Sequence, residues 1–121
     1  MTSPISWFEL PVIDLSRATA FYERILNVKL QPETCGECVM SVFPFVEGYP
    51  SGALVRMAQM TPQDNGTLVY LFAGQDLAPA LARVAEVGGT VAMPKTSIGE
   101  HGFIALFIDS EGNRVGLHSL H

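Results

Sequence analysis

The sequence predicts an α+β fold built from two βαβββ modules, and two observations carry the prediction. The first is a repeat. A strand-like run at 6–13, followed by Asp14-Leu15 and a helical pattern to Leu26, recurs 62 residues later. The second copy is a run at 67–73, followed by Asp76-Leu77 and a helical pattern to Val87. Asp14 and Asp76, Leu15 and Leu77, Ala18 and Ala80, Ala20 and Ala82, and Ile25 and Val87 all match at that offset. The second observation is that each helical pattern is followed by three more strand-like runs. One helix for four strands covers one sheet face. The other face is left for the second module or another chain. The expected result is a cup-shaped mixed β-sheet cavity with helices on its outer face, and a site where the copies meet.

Each element has its own reason. In the first run Phe8, Leu10 and Val12 alternate with Trp7, Glu9 and Pro11, so the two sets occupy opposite faces. Asp14 or Ser16 is placed to cap a helix whose apolar stripe is Leu15, Ala18, Tyr22, Ile25 and Leu26. That stripe should cover Phe8, Leu10 and Val12, leaving Trp7 and Glu9 pointing away. Phe21 and Tyr22 are read as helix packing. Strands are expected at 28–33, 38–45 and 53–58, with the turn-rich loop 46–52 between the last two. The polar stretch 61–66 joins the halves. In the second half Leu68, Tyr70 and Phe72 alternate with Val69 and Leu71. A helix over 76–87 carries Leu77, Leu81 and Val84 and ends at Gly88-Gly89. Strands at 90–94, 102–109 and 114–120 follow, the last two joined by the tight connection Ser110-Glu111-Gly112-Asn113.

Bulk properties bound the function. A chain of 121 residues is one domain's length, and its 48% hydrophobic and 16% charged residues make it globular. No apolar run reaches the roughly 20 residues of a membrane span, and the first ten residues lack the form of a secretory signal. A cytoplasmic protein is expected. The net charge of −5, with seven scattered Lys and Arg, argues against a nucleic-acid partner. Cys35 and Cys38 form a lone C-x-x-C in an expected turn. Without a second pair they make no zinc ribbon. They are read as incidental thiols at a hairpin tip, with a redox-sensitive pair or a metal site completed by another chain as alternatives.

The motifs FELPVIDLSRATAFYERIL (8–26) and GFIALFIDSEGNRVGLHS (102–119), supported by GTLVYLFAGQDLAPALARVAEVGGTV (66–91), carry a family resemblance. The chain resembles the vicinal oxygen chelate superfamily, also called the glyoxalase/bleomycin resistance/dioxygenase superfamily. The resemblance implies a single glyoxalase-like domain over 1–121: module one at about 4–58, a linker at about 59–66, and module two at about 67–120. It implies a homodimer and a small-molecule ligand. In metal-dependent members it implies four strand-borne ligands, usually His and Glu, around a divalent cation. Carried onto this chain, those positions are Trp7, Leu54, Val69 and Gly116. None carries a cation ligand, so no metal or other cofactor is expected, and a glyoxalase I or extradiol dioxygenase reaction is disfavoured.

Polar residues stand one step along the same faces. At the repeat offset, Glu9 corresponds to Leu71 and His118 to Arg56. If Asp109 pairs with Arg114, Ala105 lies opposite His118 and Phe107 opposite Gly116, with Phe103 on the same face. The candidate ligand-binding set is therefore Trp7, Glu9, Arg56, Phe103, Phe107 and His118, with Glu9 and His118 as candidate acid–base groups. The bland reading pairs Glu9 with Arg56 or His118 for structural reasons only, and takes the aromatics as core. His101 is read as surface or cavity rim, and His121 as a frayed terminus. Three functions are weighed. The leading one is a glyoxalase-like protein that binds or transforms a small organic molecule in a metal-free cup. The second is a glyoxalase I-type lyase or isomerase with displaced ligands: Glu9, His118 and a third such as His101. The third is a non-catalytic drug-binding protein of the bleomycin-resistance kind.

Overall fold

The computed structural model describes residues 4–121, apart from the side chain of Cys35. Its elements run β1 (Trp7–Pro11), α1 (Leu15–Leu26), β2 (Gln31–Cys35), β3 (Cys38–Val42), β4 (Ser51–Arg56), β5 (Tyr70–Phe72), α2 (Ala78–Val84), β6 (Thr90–Ser97), β7 (Phe103–Ile108) and β8 (Arg114–Ser119). Two four-stranded sheets result, ordered β1-β4-β3-β2 and β5-β8-β7-β6. In each, the first strand runs parallel to the fourth and the other pairs are antiparallel. This is the expected α+β pair of βαβββ modules, and the sheets do not close into a barrel.

The helix ends form where local chemistry dictates. The Asp14 carboxylate accepts from the Arg17 amide at 3.0 Å, and Asn27 takes the left-handed conformation that closes α1. The second helix starts later than expected. Asp76 accepts from the Ala78 amide at 2.9 Å, which shapes a turn before the helix, and Pro79 occupies its first turn. A 3-10 turn, Ala85–Val87, and left-handed Gly88 complete the stop. β6 runs on to Ser97 through two register shifts, which accommodate Pro94 on an edge strand.

One core serves both modules. Ala18, Phe21, Tyr22 and Ile25 of α1 and Ala80 and Val84 of α2 pack with Leu10, Leu54, Leu71, Ala105, Phe107, Val115 and Leu117 from both sheets. Phe21 and Tyr22 lie 5.9 and 6.2 Å from the Phe107 ring. A second cluster, Val42, Ala53 and Val55 with Met40 and Met57, lies on the opposite face of the first sheet.

The β7–β8 turn fastens the modules together. Glu111 accepts from the Ile13 and Asp14 amides at 2.9 and 2.8 Å and from Arg17 at 2.7 and 3.0 Å. Asp109 accepts from the Tyr22 hydroxyl at 2.6 Å, and Asn113 donates to the Pro11 carbonyl at 2.7 Å. The stretch between the modules is pinned as well: Gln63 and Asp64 bond through their backbone groups to Asn113 and Arg114.

The strand register departs from the expected one by a single residue. Ile108, not Asp109, pairs with Arg114, so Ile104 lies opposite His118 and Leu106 opposite Gly116. The repeat offset of 62 holds for the buried helix faces, Ala18 with Ala80 and Tyr22 with Val84, but not for the strands. Val12 donates to the Val55 carbonyl as Ala73 donates to that of His118. Val12 therefore matches Ala73, and Val55 matches His118. A one-residue slip exchanges the two faces of a strand, and the expected site residues are redistributed accordingly.

Candidate functional site

The faces turned away from the helices carry Trp7 and Glu9 on β1, Ala53 and Val55 on β4, Tyr70 and Phe72 on β5, and Gly116 and His118 on β8. Two expected wall residues lie elsewhere. Phe107 is fully buried in the core against Phe21 and Tyr22. Phe103 shares its face, packs on the core, and has the Lys95 ammonium 4.7 Å above its ring. Arg56 pairs with Val39 and follows the face of buried Leu54, emerging beside Ile13–Arg17 at the start of α1. The expected convergence of Glu9, Arg56 and His118 is thus not formed. Glu9 accepts from the Trp7 indole at 3.2 Å. His118 bonds through Nε2 to the His101 carbonyl at 2.6 Å and stands 5.9 Å from the Phe72 ring.

A groove of about 1090 Å³ lies between the free edges of β1 and β5, closed on one side by the end of α1 and the start of α2. Trp7, Tyr70 and Phe72 line it and are 44%, 41% and 62% exposed. These are large aromatic surfaces left in water, which marks an interaction site more often than chance exposure does. Its charged groups are already engaged. Arg83 donates to the Ile25 carbonyl at 2.7 and 3.2 Å. Asp76 is held below the usual carboxylate range first by the hydrogen bond from Lys95, at 2.9 Å, and then by the Ala78 amide. The Tyr70 ring lies directly across Gly116, where any Cβ would run into it. Glycine at 116 therefore sets the tilt of a groove wall.

Tyr70 and Phe72 were missed by sequence reasoning. The 62-residue offset aligned Tyr70 with core-facing Phe8, whereas the strand register aligns it with Glu9. The alternation of Tyr70 and Phe72 with Leu71 was the available signal, since only Leu71 has the aliphatic character of the core.

A divalent cation finds no ligand set here. The register moves the fourth-strand position of the first module from Leu54, which faces the core, to Ala53, the counterpart of Gly116. Trp7 then matches Leu68. Trp7, Ala53, Leu68 and Gly116 supply no ligand atom for a hard or borderline cation. Among the described residues, no group of three His, Cys, Asp or Glu could hold a metal ion. Cys38 is half-buried, and its backbone pairs with that of Cys35 at the hairpin end. The expectation of a thiol pair involves a side chain outside the described residues. No helix among the described residues is long and apolar enough to cross a membrane.

The two open four-stranded sheets with their helices define a class of protein, the paired-βαβββ proteins. The chain belongs to the Glyoxalase/Bleomycin resistance protein/Dioxygenase superfamily, whose family model matches residues 5–117. Among solved structures it is similar to a glyoxylase/bleomycin resistance protein/dioxygenase domain from Frankia sp. EAN1pec, with 17% identity, full coverage of both chains and a TM-score of 0.73. It is also similar to TnmS3, an antibiotic binding protein from Streptomyces sp. CB03234, with 24% identity, 98% and 97% coverage and a TM-score of 0.64. A glyoxalase I variant from Zea mays matches with 20% identity and a TM-score of 0.68 over 96% of this chain. This chain spans 46% of that maize protein. At these identities the likeness shows the fold. A search of the curated proteins by sequence finds no match.

Proposed function

We propose that this protein binds a small, largely apolar organic molecule in the groove between β1 and β5, without a divalent metal. One observation carries the reading: a groove of about 1090 Å³ walled by exposed Trp7, Tyr70 and Phe72, whose charged groups are already paired. Glu9, bonded to the Trp7 indole, and His118, beside the Phe72 ring, serve as polar anchors next to that aromatic wall. They belong to different sheets, each with its own local partner, which favours anchoring over a shared acid–base step. The likeness to TnmS3, described as an antibiotic binding protein, supports the binding reading. A second copy of the chain fits the same picture, because Phe45, Val46 and Tyr49 of the β3–β4 loop are 65%, 67% and 73% exposed next to Pro44 and Pro50 of the groove wall. Sedimentation at several concentrations reads that association; a monomer at tens of micromolar removes it.

Trp7 is the chain's one tryptophan, so its indole N–H resonance reports on the groove directly. Titration with a panel of apolar aromatic compounds should shift that resonance saturably, before and after chelator treatment alike. Stoichiometric bound cation in untagged protein, together with hemithioacetal turnover, overturns the metal-free reading.

A further inference from the structure

We propose that His118 presents its Nδ1 as a hydrogen-bond acceptor to the ligand, and that the Gly102 turn fixes this state, so that the site selects flat aromatic molecules bearing a hydroxyl or N–H donor. The proposal rests on the binding reading above and names the chemistry of the molecule bound.

The bond at Nε2 decides the tautomer. Its partner is the His101 carbonyl, 2.6 Å away. A carbonyl oxygen only accepts, so Nε2 carries the hydrogen. A neutral imidazole with hydrogen on Nε2 keeps a lone pair on Nδ1. Nδ1 is then an acceptor that asks for a donor.

The carbonyl is held by a turn that only glycine closes. Gly99–His101 forms one 3-10 turn, with the Gly102 amide donating to the Gly99 carbonyl at 3.1 Å and the Ile98 amide donating to the Gly102 carbonyl at 2.9 Å. Gly102 has φ of 102°, outside the range that side-chain-bearing residues prefer. A Cβ there would run into the carbonyl oxygen of Ser119, the residue after His118. The turn is thereby seated against β8 beside the imidazole it bonds. His101, read from the sequence as surface or rim, contributes through its backbone rather than its ring.

The surroundings specify the rest of the ligand. Phe72 is the paired neighbour of His118 on β5, at 5.9 Å between ring centroids, and its ring forms part of the groove wall. Tyr70 lies against Gly116, two residues before His118, and Trp7 lines the same groove from β1. Aromatic faces favour a planar apolar body. The cations of the groove region, Arg83 and Lys95, are committed to Ile25 and Asp76. An anionic headgroup therefore gains little, whereas a phenol, enol or amide N–H gains an acceptor partner at the half-buried His118.

The test uses the intact chain and two probes, 4-phenylphenol and its methyl ether. Ring-nitrogen NMR of labelled protein should show hydrogen on Nε2 and a bare Nδ1 at His118; hydrogen on Nδ1 overturns the proposal. Followed at the Trp7 indole, the phenol should bind about tenfold tighter than the ether, the worth of one neutral hydrogen bond. His118→Phe keeps a flat ring without nitrogens. It should abolish that difference by weakening the phenol alone. Gly102→Ala should mix the two tautomers and shrink the difference while leaving the ether's affinity unchanged. Where Gly102→Ala does not fold, the His118→Phe comparison decides. Equal affinities in the unsubstituted protein overturn this inference and leave the groove reading standing; binding of neither probe overturns both.

Discussion

Tyr22 on α1 donates its phenolic hydrogen to the buried carboxylate of Asp109, 2.6 Å away at the end of β7. This bond joins the helix of one module to the last hairpin of the other inside a single apolar core. Asp109 also accepts from the Glu111 and Asn113 amides and from the Asn113 side chain. The carboxylate is therefore satisfied although it is only 3% exposed.

Replacing Tyr22 by Phe removes one donor from that carboxylate and leaves the packing of the ring. A loss of about 1–3 kcal/mol is expected, read as a lower urea midpoint at unchanged slope. Burial raises the Tyr22 phenol well above its usual value, and the Asp109 charge and hydrogen bond add to the effect. A raised folded value means that the folded state holds its proton longer than the unfolded one. This contribution to stability is complete below about pH 10 and falls as pH rises further. Tyr22→Phe should flatten that alkaline decline; an identical decline in both proteins argues against it.

Glu111 offers the acid counterpart. Burial opposes its charge, but Arg17, the Asp14 amide, Ser110 and the Ile13 amide outweigh it and bring the carboxyl down to about 2. A depressed folded value gives stability that is present above the unfolded value near 4.5 and is lost as pH falls towards 2. With the discount owed to the half-exposed Arg17, the effect is about 2 kcal/mol. Glu111→Gln should remove most of it at neutral pH and weaken the acid dependence between pH 4.5 and 2. Thermal melts across that window are the measurement, and equal pH slopes for the two proteins would count against the assignment.

Gly116→Ala tests the tilt of the groove wall. The added methyl meets the ring of Tyr70, which is partly exposed and free to swing outward. The stability cost should be about 1 kcal/mol, while the response of the Trp7 indole to an apolar aromatic ligand weakens severalfold. Pairing it with Tyr70→Ala should give a non-additive cycle, because one ring carries both effects.

The strand register makes a prediction that the 62-residue offset reverses. Phe72→Ala should weaken aromatic ligands by roughly 1 kcal/mol, whereas Arg56→Ala, on the helix side, should leave them unchanged. Loss of binding in Arg56→Ala with none in Phe72→Ala would restore the other register.

The fold was legible because its signals are local and repeated. Asp14 and Asp76 mark the helix entries, the Leu15–Leu26 stripe marks a buried face, and Ser110–Asn113 marks a hairpin. Trp7, Glu9 and His118 stand on the faces the alternation gave them. Arg56 does not, because the fourth strand repeats at 63, and Phe103 and Phe107 do not, because Ile108 rather than Asp109 pairs with Arg114. The buried helix faces repeat at 62, but the first and fourth strands repeat one residue short and one residue long of that. Hydrogen-bond pairing between distant strands sets those values, and nothing near Arg56 or Phe107 in the chain encodes it. The roles of Tyr70, of the His101 carbonyl and of Gly102 likewise depend on which strand lies next to which.

The Glu111 clasp also bears on the order in which the molecule comes into being. The amides of Ile13 and Asp14 donate to a carboxylate 98 and 97 residues further on. On a ribosome the first helix emerges long before the carboxylate that caps it. Until that turn is synthesised, the helix start has only the Asp14 side chain to hold it. The β7–β8 turn thus completes the clasp on the first module, and a nascent chain stopped before Ser110 lacks both Glu111 and β8.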